Sequence, residues 1–263
     1  CKAENFFEPE ILSEENILAV HIKEYFKSLL NLTLDKSAAR KIGFPLSETL
    51  VKRGRIISQG TIDCCEYALK YGIAMNIAGG THHSYADHGE GFCLFNDQAI
   101  AAKYLLKKGL ANRILIVDLD VHQGNGTAKI FENEDSIFTF SMHGAGNYPF
   151  KKEKSDLDIA VPDGSGDEVY LKILKETLPK LISEQKPDFI FYLSGVDILE
   201  TDKLGRLNCT VEGCKERDRF VLQICKDLNI PVEVSMGGGY SPGIKAIIEA
   251  HANTFRLAQE IFF

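Results

Sequence analysis

Acidic and histidine side chains alternate along the stretch RILIVDLDVHQGNG, in which Asp118, Asp120 and His122 stand at every second position. The apolar run before them predicts a strand that is buried on both faces, as in a parallel sheet. Alternate side chains of an extended backbone point to the same side, so two of them can face one metal ion. The carboxyl end of a strand is also where ligands bind in open α/β sheets. The stretch is therefore a candidate metal site.

Three other predicted strands also end in residues that can do chemistry. A strand over 73–78 runs into GGTHH, which places His82 and His83 beyond the end of the sheet. The strand over 188–193 is followed by Asp197, and the strand over 232–236 by GGGY, which carries Tyr240. Because the carboxyl ends of parallel strands lie at one edge of a sheet, we expect these side chains to gather there.

Asp120, His122 and Asp197 form a donor set suited to one divalent ion. One imidazole and two carboxylates leave coordination positions open, as a catalytic metal requires. Zinc fits this set, and so does iron(II) or another first-row metal, because two carboxylates and a histidine do not select zinc decisively. A water bound to such an ion loses much of its proton affinity and becomes a nucleophile at neutral pH.

The remaining polar residues can take the proton from that water and stabilise the charge that forms when it attacks. Asp118 can hold the far nitrogen of one histidine, and Asn125 that of the other. An Asn acceptor lacks the charge that stabilises imidazolium, so its histidine should keep the lower pKa and be the better general base. The Tyr240 hydroxyl can donate to a developing oxyanion, although GGGY alone is also typical of an aromatic residue packed on the core. Together these groups predict metal-assisted hydrolysis of an amide.

Helical and strand patterns alternate along the chain, which predicts a doubly wound, mostly parallel α/β sheet with helices on both faces. No linker or repeat interrupts residues 1–263, so we predict a single domain. Residues 151–166 are polar and are interpreted as a surface excursion. Predicted strands cover 73–78, 114–117, 136–142, 188–193 and 232–236. Predicted helices cover 13–30, 47–71, 96–109, 127–132, 213–228, a segment from 167 that Pro179 bends or ends, and a closing segment over 244–262.

Composition restricts the classes of function. A net charge of −7 argues against a nucleic-acid-binding surface. Seven cysteines without a CxxC pair or a secretory leader indicate a reducing compartment, so a cytoplasmic location is expected. No apolar run approaches ~20 residues, so no membrane span is expected. The first residue, Cys1, suggests a trimmed start, whereas Cys64, Cys65, His21 and His251 are interpreted as structural residues.

Six motifs follow one another along the chain: GGTHH (79–83), GEGFCLFND (89–97), DLDVHQGNG (118–126), SMHG (141–144), GVDILETDKLGRL (195–207) and GGGY (237–240). In this order they closely resemble the motifs of the histone deacetylase family, which also includes bacterial acetoin-utilisation proteins and acetylpolyamine amidohydrolases. The form HQGNG, with GVDILETDKLG, is similar to the class IV branch and its bacterial members. The class I branch carries His-Gly-Asp where this chain has Gln123-Gly124-Asn125, so a second His–Asp dyad is absent here. The family's usual first strand is also missing.

The resemblance implies an arginase-like α/β fold with zinc bound by Asp120, His122 and Asp197. It assigns His83, partnered by Asn125, as the base, pairs His82 with Asp118, and gives Tyr240 the task of polarising the acyl carbonyl. It also implies a structural potassium or sodium ion. The ligands of that ion would be Asp118, Asp120, the carbonyls of His122 and Met142, and the hydroxyl of Ser141.

The implied substrate is an acylated lysine peptide or a small acylated amine, held in a tunnel walled by Gly91, Phe92 and Tyr148 with Leu204 at its rim. An acetylpolyamine amidohydrolase is the alternative, but neither an acidic entrance nor a long dimerising insertion is evident. An arginase-type ureohydrolase would need more Asp ligands. The alternative from another class is a catalytically inactive acyl-lysine-binding module, against which the intact site residues argue. Acyl length, native metal and oligomeric state stay open.

Overall fold

Six parallel strands form one sheet in the computed structural model, which describes residues 3–263. Cys1, the residue that suggests a trimmed start, lies outside the described residues. The five predicted strands are present, and a sixth joins them. The strands are β1 (Ile73–Asn76), β2 (Ile114–Asp118), β3 (Ile137–Gly144), β4 (Leu157–Val161), β5 (Phe189–Leu193) and β6 (Val232–Ser235).

Helices connect the strands and cover both faces of the sheet. Between residues 3 and 263, no helix combines the length and the apolarity that a membrane crossing requires. A short 3₁₀ helix over Ala3–Asn5 precedes the α-helices. These are α1 (Glu14–Ile17), α2 (Lys23–Leu30), α3 (Lys36–Ile42), α4 (Glu48–Tyr71), α5 (Asp97–Lys108), α6 (Asn125–Ile130), α7 (Asp167–Gln185), α8 (Val211–Asp227) and α9 (Ile244–Phe262).

The order of the strands, β1-β6-β5-β2-β3-β4, creates a switch point between β2 and β5. From β2 the chain proceeds outward through β3 and β4, then returns to the other side of β2 and continues through β5 to β6. A crevice opens beyond the carboxyl ends of two strands where the winding reverses, and ligands bind there in open α/β sheets. The predicted metal ligands follow these two strands.

Two apolar clusters, one on each face, hold the sheet between the helices. Leu115 and Val117 of β2 pack in the cluster that contains residues of α7, α8 and α9. Ile114 and Ile116, the alternate residues, pack in the cluster of α2, α4 and α5. Burying one large apolar side chain contributes about 1.5–3 kcal/mol, so both faces need apolar residues. This is why β2 is a continuous apolar run, and why its first polar residue comes at its carboxyl end.

The predicted helix over 13–30 is wrong as one element, because α1 and α2 are separate. His21 lies between them, buried, with Nδ1 3.0 Å from the Tyr85 carbonyl and Nε2 accepting from the Asn96 backbone N–H. The Ile22 backbone N–H donates to Ala86, and Ile22 is extended. These contacts to the loop after GGTHH replace helical hydrogen bonds, so tertiary structure overrides the apolar period. The interpretation of His21 as structural is confirmed.

Residues 151–166 do not form a purely irregular surface excursion. They contain β4, which pairs in parallel with the end of β3 from Phe140 to Gly144. Alternate residues of β4 are exposed, and its Asp158 side chain accepts a hydrogen bond from Gln123 at 2.7 Å. Leu157, Ile159 and Val161 alternate with Asp158 and Ala160, so the sequence does carry the period-two pattern of a strand, which the prediction of a surface excursion overlooked.

Pro179 does not end the helix that contains it. α7 continues through this residue to Gln185. Proline removes one helical hydrogen bond, and the carbonyl that loses its donor belongs to Lys175. Both residues lie on the exposed side of the helix, where water can hydrogen-bond to that carbonyl.

The buried thiols and His251 are core residues, as interpreted from the sequence. Cys64 and Cys65 are buried in α4, and burial raises the pKa of each thiol above its ordinary value. His251 is buried in α9, and burial followed by the charge of Arg217 lowers its pKa to about 4. These thiols are therefore protonated, and the imidazole is neutral, at physiological pH.

Candidate active site

The predicted metal ligands converge at the switch point of the sheet. Asp120 and His122 lie in the segment that leaves β2, and Asp197 lies four residues beyond the end of β5. One potential ligand atom from each of the three lies within 4.8 Å of the others, and all three residues are buried. The strand order brings them together although 75 residues separate His122 from Asp197 in the chain.

The three side chains fit a divalent cation. His122 Nδ1 lies 3.0 Å from Asp120 Oδ1 and 3.2 Å from Asp197 Oδ2. The second approach lacks hydrogen-bond geometry, and Asp197 Oδ2 is buried without a hydrogen-bond partner among the described residues. A buried carboxylate oxygen without a donor is costly. An ion placed among these atoms would supply the missing positive charge, and one imidazole with two carboxylates suits zinc or iron(II).

Electrostatics in the metal-free chain support the same interpretation. Burial would lower the pKa of His122, but the Asp120 and Asp197 carboxylates raise it to about 10. Burial and the neighbouring Asp120 raise the pKa of Asp197. Without a metal ion, the cluster therefore retains a proton on the imidazole. A metal ion needs the neutral imidazole, so its binding would release that proton.

Backbone N–H groups hold the two carboxylates. Gly238 N–H donates to Asp120 Oδ2 at 2.9 Å, and Val121 N–H donates to Asp197 Oδ1 at 2.9 Å. A Cβ atom at Gly238 would collide with Asp197 Oδ2. Glycine is therefore required in the middle of GGGY because the backbone must approach both carboxylates closely.

Arg217 also holds this region, and the sequence carries no signal of it. Its guanidinium is fully buried and donates to the carbonyls of Gly195 at 2.6 Å, Ser194 at 3.1 Å and Leu119 at 3.3 Å. Leu119 precedes one candidate metal ligand, and Gly195 lies two residues before another. An Arg-Asp pair in a polar helix is typical of a solvated face, and only the packing of α8 shows that this pair is inside.

The two histidines of GGTHH face different partners. His82 Nδ1 lies 2.6 Å from Asp118 Oδ2, and His83 Nδ1 lies 2.6 Å from Asn125 Oδ1. The two rings are 4.1 Å apart between centroids, and both are buried. These are the pairings that the family resemblance implies. Each partner leaves the other ring nitrogen, Nε2, available to the site.

The pKa values of the two rings are shifted in opposite directions. Burial would lower the pKa of His82, but the adjacent Asp118 carboxylate raises it to about 9 in the metal-free chain. Burial and the neighbouring His82 hold the pKa of His83 well below its ordinary value, and the Asn125 amide opposes this only weakly. The direction agrees with the prediction that the histidine facing Asn125 has the lower pKa.

Asp97 positions the loop that carries both histidines, and its role is not evident from the sequence. Its carboxylate accepts from the backbone N–H groups of Gly80 and Thr81 and from the Thr81 hydroxyl. Gly79 and Gly80 have φ of 78° and 73°, which only glycine adopts readily. Asp97 is the last residue of GEGFCLFND, so two of the motifs meet in one hydrogen-bonded turn.

Tyr240 lies beside Phe92, with 6.2 Å between the two ring centroids. Its backbone N–H donates to Asp202 Oδ2 at 2.5 Å, which fixes the end of the GGGY turn. Burial and the charges of Asp120 and Asp197 raise the pKa of the phenol above its ordinary value. The phenol therefore stays protonated and can act as a hydrogen-bond donor.

Two of the predicted tunnel residues, Gly91 and Tyr148, lie against the His83 ring. A Cβ at Gly91 would lie 2.5 Å from the His83 ring, and the Tyr148 ring meets that ring edge-on at 5.0 Å. Phe92 has φ of 68°, is 43% exposed, and lies 6.2 Å from the Tyr240 ring between centroids. A positive φ is uncommon for an aromatic residue and marks a constrained position beside the site.

Leu204 is 47% exposed, and its place at the rim of a tunnel stays a prediction. Asn147 donates from its amide to the Leu204 carbonyl at 2.7 Å, and its own oxygen accepts from the Arg206 backbone N–H at 3.2 Å. The loops that carry Tyr148 and Leu204 are therefore linked to each other.

The predicted ligands of the monovalent ion lie next to the metal cluster. Asp118 of β2 is in register with Ser141 of β3, and the Asp120 backbone N–H donates to Asp118 Oδ1 at 3.2 Å. The Ser141 hydroxyl lies 3.0 Å from His143 Nδ1. Asp118, Asp120, His122, Ser141 and Met142 are all buried, and the ion itself stays a prediction.

Comparisons with known proteins identify relatives of this chain. Residues 1–255 match the family model of the histone deacetylase domain. An uncharacterized protein of Picosynechococcus is 42% identical over 98% of this chain and 86% of its own length. Histone deacetylase 2 of Arabidopsis thaliana is 30% identical over 92% of this chain, which spans only 65% of that protein.

The fold is similar to that of solved members. The crystal structure of a histone deacetylase homologue complexed with SAHA superposes with a TM-score of 0.84 and 25% identity, over 98% of this chain and 74% of that one. The likeness includes the whole sheet and its helices. It confirms the predicted arginase-like, doubly wound α/β fold.

Proposed function

Because this chain belongs to the histone deacetylase family, we propose that it is a zinc-dependent hydrolase that removes acetyl or longer acyl groups from lysine-like amines. One observation carries the proposal. Three candidate metal ligands and two histidines with different partners lie together at the switch point of the sheet, and Tyr240 is near enough for the charges of Asp120 and Asp197 to raise the pKa of its phenol. This set has a group for each step of amide hydrolysis.

In this proposal Asp120, His122 and Asp197 hold the zinc ion, although iron(II) suits the same donors. A bound zinc ion supplies Lewis acidity, which activates water and polarises a carbonyl at neutral pH. Asp118, Asp120, Ser141 and the carbonyls of His122 and Met142 hold a potassium or sodium ion beside it. Its positive charge offsets part of the negative charge of the buried carboxylates.

His83 acts as the general base. Its low pKa keeps the ring neutral at physiological pH, and its Nδ1 is engaged by Asn125, so the proton of water is taken at Nε2. His82, which Asp118 stabilises in its charged form, contributes positive charge that favours the developing oxyanion. The Tyr240 hydroxyl donates a hydrogen bond to the same oxygen. The amine then leaves with the proton that His83 accepted.

The substrate enters through the tunnel formed by Gly91, Phe92 and Tyr148, with Leu204 at the rim. An acylated lysine peptide suits a narrow aromatic passage because its side chain is long, linear and mostly apolar. A small acylated amine such as an acetylated polyamine is the alternative substrate, although the sequence shows no evident acidic entrance for its ammonium charge. We propose no direct nucleic-acid partner, and six buried free thiols among the described residues support a reducing, intracellular compartment.

The test is hydrolysis by the zinc-loaded protein of acetyl-lysine peptides, longer acyl-lysine peptides and acetylated polyamines. We expect the wild type to release the acyl group from at least one of these substrates. The Asp197→Ala variant should lose both this activity and the bound zinc. Asp135→Ala is the matched control, since this exposed Asp lies at the opposite end of the sheet. If no acyl chain is released and Asp197→Ala still binds zinc normally, the proposal is refuted, and an acyl-lysine-binding module becomes the better interpretation.

A further inference from the structure

Glu90 links the partner of the proposed base to the wall of the tunnel. Its Oε1 accepts hydrogen bonds from the Asn125 side-chain amide at 2.6 Å and from the Tyr148 hydroxyl at 2.6 Å. Its side chain is 15% exposed, so water competes little for these contacts. The residue belongs to GEGFCLFND, but its spacing from Asn125 gives no indication that the two meet.

A carboxylate only accepts hydrogen bonds, and this fixes which way the Asn125 amide points. The NH₂ group must face Glu90, so the carbonyl oxygen must face His83. The second neighbour of the NH₂ group is consistent with this orientation. Asn125 Nδ2 donates to the Tyr85 hydroxyl at 3.0 Å, and that hydroxyl directs its own hydrogen to Glu153.

The orientation of the amide in turn fixes the hydrogen on His83. Because Nδ1 of His83 faces a carbonyl oxygen, Nδ1 must carry the hydrogen of the neutral ring, and Nε2 keeps its lone pair. If the amide turned over, its NH₂ group would face Nδ1 and favour the tautomer with hydrogen on Nε2. A ring in that form cannot accept a proton at Nε2.

An aspartate needs no such control, because both of its oxygens accept. The neighbouring pair of His82 and Asp118 illustrates this. An asparagine has nearly the same shape in both orientations of its amide, so a further residue must choose between them. We propose that Glu90 is the positioning residue that orients the Asn125 amide and thereby holds His83 in its Nδ1–H tautomer.

The tautomer can be measured directly. Long-range ¹H–¹⁵N spectra of histidine-labelled, metal-free and zinc-loaded protein distinguish a protonated ring nitrogen from a bare one, and the signals lost in His83→Asn identify this ring. Nδ1–H is expected for His83 in the wild type, and a mixture of both tautomers in Glu90→Gln, because a glutamine amide can donate or accept. Tyr148→Phe is the control, since it removes the other partner of Glu90 and should leave the tautomer unchanged.

A wild-type His83 with hydrogen on Nε2 would overturn the proposal, and so would an unchanged tautomer in Glu90→Gln. This readout needs neither substrate nor turnover. If the tautomer behaves as expected while no acyl substrate is cleaved, the proposed function fails and the role of Glu90 stands.

The catalytic consequence rests on the proposed deacylase function and is tested by a double-mutant cycle. Glu90→Gln should lower kcat about tenfold with little change in KM, because part of the enzyme then holds the wrong tautomer. In the Asn125→Asp background, Glu90→Gln should cause no loss, because both oxygens of the introduced carboxylate accept and no amide is left to orient. Equal losses in both backgrounds would show that Glu90 acts only through the stability of the loop, and would overturn the proposal.

Discussion

The two histidine pairs of this site lie side by side and differ in the charge of their partners. His82 faces a carboxylate, which raises its pKa to about 9 in the metal-free chain, whereas His83 faces an amide, and its pKa lies well below the ordinary value. The contact distance is 2.6 Å in both pairs. Because the distance is the same, the charge of the partner decides which ring holds a second proton and which ring stays neutral.

The pairs also act on each other. Because the rings are 4.1 Å apart, a charge on His82 disfavours a second charge on His83. Adjacent groups whose surroundings separate their pKa values can divide acid and base chemistry between them. If Asn125 were replaced by an aspartate, each ring would face a carboxylate that favours its charged form.

The largest expected effect comes from removing each ring in turn. His83→Ala should lower kcat by about 10²–10⁴-fold, the usual contribution of a general base, because no other neutral ring has the same access to the site. His82→Ala should cost less, since it removes charge stabilisation and leaves the base in place. Steady-state kinetics with one acyl-lysine peptide compare the two. Equal losses of kcat in the two variants would mean that the two rings do not have separate roles as base and as positive charge.

Tyr240→Phe should leave both histidine pairs intact and still lower kcat by about 10²–10³-fold, because it removes a donor to the oxyanion. The pH at which the rate falls on the acidic side should stay where it is in the wild type, since the base is unchanged. A pH profile of kcat/KM measures both quantities. A profile displaced along the pH axis would show that Tyr240 acts through the histidines.

Asn125→Asp should make the two pairs alike. The new carboxylate raises the pKa of His83, and a general base must be neutral, so the acidic limb of the kcat/KM profile should move to higher pH. Each unit of displacement lowers the rate on that limb about tenfold. Asn125→Ser is the matched control, because it removes the amide without adding charge. An acidic limb that stays in place in Asn125→Asp would contradict the role assigned to His83.

Asp118→Asn should have the smallest effect, seen in the stability of the metal-free protein. The folded pKa of His82, about 9, lies above its ordinary value of 6.5, so its pairing with Asp118 stabilises the fold fully below pH 6.5. That stabilisation is lost as the pH rises through about 9. Urea unfolding in EDTA should show Asp118→Asn less stable by on the order of 1–3 kcal/mol at about pH 6, and a smaller difference near pH 10. A difference independent of pH would contradict the ionic pairing.

Local patterns account for most of the fold. The apolar run of β2 and the glycines and polar residues after each strand are features of neighbouring residues, and they place every predicted strand. Ser47, whose hydroxyl accepts from the Leu50 backbone N–H, and Gly72, at φ of 90°, mark the ends of α4 as the sequence indicates. The break between α1 and α2 escapes such patterns because it depends on contacts of His21 with residues more than 60 positions away.

The sequence by itself determined which residues can do chemistry and which strand ends carry them, because residue type and a period of two are local properties. It also indicated that Asn125 and Asp118 would give two histidines different pKa values. Only the tertiary structure decided that Arg217 holds two loops from inside the core and that Glu90 meets Asn125. The physical reason is that a hydrogen bond depends on position and direction in space, and 35 residues of intervening chain leave both undetermined until the sheet is assembled.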